Sequence, residues 1–145
     1  MIITFGVGIE EIKFGLVPSE VIEIWGEPDQ IKEDEREDFV VYYYNEKMTK
    51  LYFYSEWGDK LVTIYITNPR LQVWNQKVIG TKKMQIERML DENGIQSKVY
   101  DDYDMINSIF CEEIWSIFGF EYERLTTIEF SVLEDENGNG KWPLA

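Results

Sequence analysis

The chain has 145 residues, and 28 acidic against 14 basic side chains give it a formal net charge of −14. A charge of that sign repels phosphate backbones and anionic lipid, so we expect no nucleic-acid partner and no membrane association. With no histidine and a single cysteine, Cys111, the sequence excludes histidine-based catalytic triads and an intrachain disulfide, and it offers no ordinary zinc ligand set. We therefore expect no cofactor, no metal site and no enzymatic activity.

The location of the protein is predicted from what the sequence lacks. No apolar stretch approaches the length of a membrane-spanning helix, and Met1–Gly6 has no basic region ahead of a long apolar run. With one cysteine, nothing indicates an oxidising compartment. These features predict a cytoplasmic protein in which Cys111 is a buried core thiol.

The first elements along the chain are short. Met1–Thr4 is rich in β-branched residues and predicts a strand, and Ile9–Ile12 predicts a single helical turn. After Phe14-Gly15, the segment Pro18–Trp25 has proline at its first position and apolar residues at helical spacing, and Gly26 follows it. These signals predict a helix of about two turns, which is too short to be stable unless it packs on another element.

Three strands are predicted after this helix. The charge run Glu33–Asp38 is expected at a solvent-exposed turn, and Phe39–Tyr44 has strong β propensity. Turn residues then separate two further strands, Leu51–Ser55 and Leu61–Thr67.

The same order recurs in the rest of the chain. Gly80 precedes a helical pattern that Asn93-Gly94 ends, and Lys98–Tyr103 forms a polar, acid-rich passage. Three strands are predicted beyond it, over Ile106–Phe110, Ile114–Tyr122 and Leu125–Leu133.

These matches predict a duplication. Asp59–Ile66 aligns with Glu123–Phe130 at a separation of 64 residues, and Gly15 aligns with Gly80 at 65. The predicted fold class is α+β, with two tandem repeats, residues 1–72 and 73–145. Each repeat is a helix followed by an antiparallel meander, and together they form one two-layer, continuous or adjoining concave sheet. Chance alignment of alternating strands is the alternative.

Alternation along the strands predicts which side chains share a face. Val62, Ile64 and Ile66 are expected on the face that lies under the helices. Leu61 and the residues that alternate with it are expected on the opposite face. The tyrosine-rich face so predicted carries Tyr42, Tyr44, Tyr52, Tyr54 and Tyr65. The sequence determines the register of Phe39–Tyr44 only to within one residue, because this strand is apolar on both faces. The face is a partner surface, a set of cross-strand aromatic pairs that stabilises the sheet, or a surface buried between the two repeats.

A family resemblance adds to this interpretation. The segments Ile12-Lys13-Phe14-Gly15, Glu20-Val21 and Trp25-Gly26-Glu27-Pro28 resemble the repeat of the β-lactamase-inhibitor-protein-like fold, which the SmpA/OmlA lipoprotein group shares. The resemblance implies two tandem repeats, a concave sheet backed by helices, and a protein-binding scaffold. The sequence departs from the family in two respects. The second repeat lacks the Gly-x-Pro stop after its helix, and a single cysteine cannot form the disulfides of the inhibitors.

One further motif is rejected. Asp135–Gly140 matches the first half of a calcium-binding loop, but the closing glutamate at position twelve would fall beyond Ala145. We expect a polar turn there.

Together these features predict a small cytoplasmic inhibitor, an immunity protein that binds a basic toxin. The predicted contact residues are Tyr42, Tyr44, Tyr52, Tyr54, Trp57 and Tyr65, and the acidic residues expected to steer the partner are Glu33, Asp34, Asp101 and Asp102. The alternative is a structural module that uses the same face for homodimerisation.

Overall fold

A computed structural model describes residues 1–34 and 36–143. The helices are α1 (Pro18–Trp25) and α2 (Lys83–Glu92), with short 3₁₀ turns at Ser55–Trp57 and Glu112–Ile114. The strands are β1 (Ile3–Thr4), β2 (Gly8–Ile9), β3 (Ile12–Lys13), β4 (Gln30–Asp34), β5 (Phe39–Tyr44), β6 (Thr49–Tyr54), β7 (Lys60–Ile66), β8 (Gln72–Val73), β9 (Gln76–Lys77), β10 (Val99–Tyr103), β11 (Ile106–Cys111), β12 (Ser116–Glu121) and β13 (Arg124–Ser131).

Eight of these strands form one antiparallel sheet in the order β10-β11-β12-β13-β7-β6-β5-β4. Two small sheets, β1-β2-β3 and β8-β9, accompany it. Helix α1 precedes β4 to β7 along the chain, and α2 precedes β10 to β13. The predicted α+β class with a large antiparallel sheet is confirmed. Within the described ranges, neither helix is long and apolar enough to cross a membrane.

Helix α1 has the bounds that its sequence signals predict. Pro18 occupies its first turn, where no amide donor is needed, and the Glu20 carboxylate accepts a hydrogen bond from the Val17 amide at 3.0 Å. At the other end, Gly26 has a φ of +81° and donates its amide to the Ile22 carbonyl at 2.8 Å. The helix buries Val21 against the core.

The centre of the sheet is the antiparallel pair β7 and β13. Ile64 lies opposite Phe130 and Ile66 opposite Ile128, and all four side chains are fully buried. The strand that ends the first half of the chain (residues 1–72) thus pairs with the last strand of the second half (residues 73–145).

The two halves also share one hydrophobic core. The ring of Phe14 lies 5.5 Å from that of Phe130, and the ring of Phe5 lies 6.2 Å from Phe118 and 5.7 Å from Phe130. The buried apolar residues of both halves belong to a single cluster.

A glycine before each helix is hydrogen-bonded to the last strand of its own half. The Gly15 amide donates to the Leu61 carbonyl at 2.9 Å, and the Gly80 amide donates to the Leu125 carbonyl at 2.7 Å. In both halves the leucine amide donates in return to the carbonyl after the glycine, at 2.8 and 2.9 Å. The φ angles of the glycines, +98° and +88°, strain any residue with a Cβ atom.

A β-bulge corrects the predicted face of Leu61. The register between β6 and β7 shifts at Tyr52 and Phe53, so that Tyr52 pairs with Thr63 and Phe53 pairs with Leu61. Leu61 is therefore fully buried in the core instead of lying on the tyrosine-rich face. A similar shift lies between β12 and β13, where Phe120 pairs with Leu125.

Three local predictions are wrong. Glu33 and Asp34, expected in a turn, end the edge strand β4, and the acid-rich passage Lys98–Tyr103 contains the other edge strand, β10. Every residue of these two strands is exposed, so they lack the apolar alternation that marks a strand in sequence. Ile9–Ile12 forms the turn between β2 and β3 instead of a helical turn.

Replacing Gly80 by alanine tests the strained backbone before α2. A Cβ atom there would meet nothing within 4 Å, so we expect Gly80→Ala to cost about 1–2 kcal/mol of unfolding free energy through φ alone. At Gly15 the added atom would also lie 3.1 Å from the Trp142 ring, so Gly15→Ala should cost more. Urea unfolding measures both, and equal losses, or none at Gly80, would contradict this account.

Candidate binding surface

One face of the large sheet points away from both helices, and we call it the open face. Contacts with the helices identify the other face: the Tyr100 hydroxyl of β10 donates to Glu87 of α2 at 2.7 Å, and the Tyr44 hydroxyl of β5 donates to the carbonyl of Gly26, the residue after α1, at 2.8 Å. On the open face, one row of paired residues crosses all eight strands. This central row is Val99, Phe110, Ile117, Glu129, Tyr65, Lys50, Tyr43 and Gln30.

The first half of the open face carries a group of aromatic side chains. The ring of Phe39 lies 6.1 Å from Tyr52 and 5.2 Å from Tyr54, whose ring is 5.3 Å from Trp57 at the rim. These four side chains and Tyr65 are half-buried. The structure thus brings Tyr52, Tyr54, Trp57 and Tyr65 to one side of the sheet, as the sequence predicts.

Tyr42 and Tyr44 do not belong to this face, and their predicted position is wrong. They are 8% and 4% exposed and lie in the core, where the Tyr42 ring packs 4.9 Å from Phe53. The Tyr44 hydroxyl is satisfied by the Gly26 carbonyl, and burial raises the pKa of Tyr44 to about 12. The register of β5 differs by one residue from the predicted register, so Tyr43 lies on the open face in place of Tyr42 and Tyr44.

The four predicted acidic residues lie at opposite edges of the sheet. Glu33 and Asp34 are on β4, and Asp101 and Asp102 on β10, roughly 30 Å away across seven strand spacings. Asp102 faces α2, where it forms an ion pair with Lys83 at 3.7 Å. These residues therefore belong to edge strands and not to loops, and they do not form one cluster.

The second half of the open face carries exposed apolar side chains that the sequence reasoning missed. The exposed fractions are 60% for Val99, 72% for Tyr103, 62% for Ile106 and 37% for Ile117. The alternation in β11 and β12 contains this signal, since Ile106 and Ile117 occupy positions that alternate with buried residues. Trp115, 37% exposed, stands at the rim beside Phe110, with the two ring centres 5.3 Å apart.

A carboxylate lies in the middle of this face. Glu129 pairs across the sheet with Tyr65 and Ile117, and its side chain is half-buried. Burial raises the pKa of this carboxyl group above its ordinary value of 4.5. The ion pairs formed within residues 1–34 and 36–143 use Met1, Lys83 and Lys98, and none of them includes Glu129.

Cys111 and Asp135 were considered for catalysis and for calcium binding, and the surroundings of each indicate a structural role. Cys111 is fully buried, and burial raises the pKa of its thiol to about 11, which keeps it neutral. The Asp135 carboxylate accepts hydrogen bonds from the amides of Asn137 and Asn139 at 2.9 and 3.0 Å, the geometry of a polar turn. In the described part of the chain, no three or more His, Cys, Asp or Glu side chains group where they could hold a metal ion.

Comparison with known proteins gives a fold likeness alone. No protein-family model matches the sequence, and no curated protein matches it. The crystal structure of an extracellular protein containing an SCP domain from Bacillus anthracis str. Ames is similar, with a TM-score of 0.54 and 16% sequence identity over 81% of this chain. This chain spans 43% of that chain.

Tyr44→Phe tests the structural role of Tyr44. The substitution leaves the Gly26 carbonyl without its side-chain donor, so we expect a loss of about 1 kcal/mol in the free energy of unfolding. Tyr43→Phe, on the open face, is the matched control and should cost less than about 0.5 kcal/mol. Urea denaturation measures both, and a larger loss at Tyr43 would contradict the register described here.

Glu129→Gln tests the cost of the central carboxylate. Since the folded-state pKa is raised, ionised Glu129 opposes folding once the pH exceeds the ordinary value of 4.5. We expect the glutamine variant to melt about 1–2 °C higher at neutral pH, with the gain lost as the pH falls below that value. Calorimetry measures the melting temperature of the Glu129→Gln variant, with Glu92→Gln, at an exposed position on α2, as the control. A lower melting temperature of Glu129→Gln at neutral pH would mean that the carboxylate makes a stabilising contact.

Proposed function

We propose that this chain is a protein-binding module that inhibits a basic partner protein, as an immunity protein neutralises a toxin. The observation that carries the proposal is the open face, where Val99, Tyr103 and Ile106 of β10 and β11 are more than half exposed. The aromatic group of the first half lies on the same face, across β12, β13 and β7. Monomeric proteins seldom expose contiguous apolar surface of this kind unless it binds something. Tyrosine and tryptophan are also enriched at protein interfaces.

The charge of the chain favours a basic partner. A net charge of −14 accelerates association with a cationic protein and opposes binding to nucleic acid or to anionic membranes. Asp34 and Asp101 add negative charge at opposite edges of the sheet. A basic nuclease toxin fits this charge, and a cytoplasmic location of the inhibitor fits such a target.

A duplicated architecture supports this proposal. We infer two tandem repeats, residues 1–72 and 73–145, with the helices as one layer and the concave sheet as the other. Three features favour duplication: the matching glycine–leucine hydrogen bonds, the two bulges, and the order of one helix followed by four strands of the large sheet in each half. In addition, Tyr65 and Glu129, which the alignment makes equivalent, face each other at the centre of the sheet.

The family resemblance remains part of the proposal. The glycine before α1 and the Gly-x-Pro after it resemble the β-lactamase-inhibitor-protein-like repeat, whose function is protein binding and not catalysis. The SCP-domain protein is described as extracellular, and at 16% identity its location is not transferred to this chain.

Homodimerisation through the open face is the competing function. It would cover the same apolar side chains, but two chains of −14 each repel one another at low salt. We therefore favour a basic partner over a second copy.

Site-specific photo-crosslinking tests the proposal. A benzoylphenylalanine at position 103, on the open face, should crosslink one basic protein in lysate of the source organism, and the same group at position 84, equally exposed on α2, should not. The captured protein is then purified, and its activity is measured with and without this chain; we expect inhibition. Crosslinks to the chain itself would favour the homodimer, and identical products at both positions or unchanged activity would contradict the proposed function.

A further inference from the structure

A cleft of about 490 Å³ lies on the helix side of the sheet, beside the start of α1. It is at the end of the sheet where β4 ends at Asp34 and β5 begins at Phe39. Val40 and Tyr42, which line the cleft, alternate along β5 with Tyr44, whose hydroxyl contacts the residue after α1. The volume is within the range of roughly 300–1,000 Å³ that small-molecule sites occupy.

The charged side chains that line this cleft are all carboxylates. They are Glu33, Asp34, Asp38 and Asp59. The ion pairs formed within residues 1–34 and 36–143 include none of them. The Asp34 carboxylate accepts a hydrogen bond from the Arg36 amide at 3.1 Å. The cleft therefore presents negative charge that no cation of the described residues neutralises by direct contact.

The basic side chains next to these carboxylates lie elsewhere. The Lys32 ammonium is 5.3 Å from the centre of the Tyr43 ring on the open face, and the Lys60 ammonium is 4.8 Å from the Trp142 ring. Arg36 borders a different hollow, which lies on the open face. A cation that enters the cleft thus meets no positive side chain in its lining.

The lining between the carboxylates is apolar. Phe53 is fully buried beneath the cleft, and Pro18 and Val40, both half-buried, also contribute to it. In the part of the chain that the structure describes, no three carboxylates group closely enough to hold a metal ion. The negative charges are therefore spread along an apolar surface, and this arrangement fits a cation whose charges are separated by apolar segments.

An unsatisfied hydroxyl group also belongs to this cleft. Tyr42 is 8% exposed, yet the tyrosine hydroxyls that donate hydrogen bonds within the described residues are those of Tyr44, Tyr54 and Tyr100. The Tyr42 hydroxyl is not among the fully enclosed polar atoms without a partner, so it reaches the cleft that the residue lines. Burial and the charges of Glu27 and Asp59 raise the pKa of Tyr42, which keeps the hydroxyl protonated at neutral pH. Because buried polar groups are normally hydrogen-bonded, this hydroxyl indicates a ligand in the cleft.

We propose that the cleft binds an aliphatic polyamine, whose ammonium groups pair with the carboxylates and whose methylene chain covers Val40 and Phe53. One ammonium group donates a hydrogen bond to the Tyr42 hydroxyl oxygen, and another donates to Asp59. Ammonium groups are donors only, and carboxylate and hydroxyl oxygens accept from them. The site lies on the helix side of the sheet, so this inference goes beyond the proposed function of the open face and does not depend on it.

Isothermal titration calorimetry with spermidine tests the site at physiological ionic strength, where weak attraction between exposed charges is screened. We expect saturable binding of a single spermidine per chain. The control ligand is hexaamminecobalt(III), which has the same charge as spermidine but no methylene chain to cover the apolar lining. It should bind about tenfold more weakly.

Three variants locate the binding. Tyr42→Phe should weaken spermidine about tenfold through the loss of a hydrogen bond to a charged group. It should still unfold at the same urea concentration as the original chain, because the hydroxyl has no partner in the free protein. Asp59→Asn should weaken binding about threefold, the effect of an exposed carboxylate. Asp101→Asn removes the same charge from the other edge strand, β10, and should leave binding unchanged.

The other outcomes contradict the polyamine site. Equal binding of the cobalt complex would mean that net charge alone attracts the ligand. No saturable binding, unchanged binding by Tyr42→Phe, or equal effects of Asp59→Asn and Asp101→Asn would also overturn the site. Equal binding of N-acetyl-lysine amide would mean that the cleft receives one lysine side chain of a protein. If spermidine binds but nothing is captured at position 103, the proposed function fails and the polyamine site stands, and the converse result leaves only the proposed function.

Discussion

The pairing of β7 with β13 is the contact on which the rest of the structure depends. Each strand closes one half of the chain, and together they bury Ile64, Ile66, Ile128 and Phe130 completely. Burial of each such side chain contributes about 1.5–3 kcal/mol. Without this pair, each half would be a four-stranded sheet with an unprotected apolar edge, which is prone to pairing with other chains. With it, the exposed edges are β4 and β10, and both carry charged residues.

The predictability of this fold follows the apolar alternation of its strands. Helix α1 and strand β5 have the bounds that the sequence predicts, because helix signals and buried β-branched or aromatic residues are local features. The edge strands β4 and β10 were not predicted as strands, because no side chain in them is buried. The bulge at Leu61 was not predicted either, since it depends on pairing with the neighbouring strand β6 and has no local sequence signal.

The candidate surface was predictable to a similar extent and for related reasons. Tyr52, Tyr54 and Tyr65 could be assigned to one face because their strands alternate, whereas Tyr42 and Tyr44 could not, since β5 is apolar on both sides. Tertiary contacts with α1 and Phe53 decide that register. Tyr103 was recognisable as an exposed residue of this face only once β10 was known to be a strand, whereas the alternation in β11 already carries the signal for Ile106. The resulting face combines aromatic, aliphatic and charged areas, as binding surfaces do.

The central claim is that the open face is unoccupied in the free molecule and available to another protein. Hydroxyl-radical footprinting of the purified chain, at micromolar and at millimolar concentration, tests it most directly. The account predicts that Tyr103 and Trp115 are oxidised at the same rate, relative to the α2 residue Met84, at both concentrations. Selective protection of Tyr103 and Trp115 at the higher concentration would mean that a second copy covers the face, and it would contradict the account.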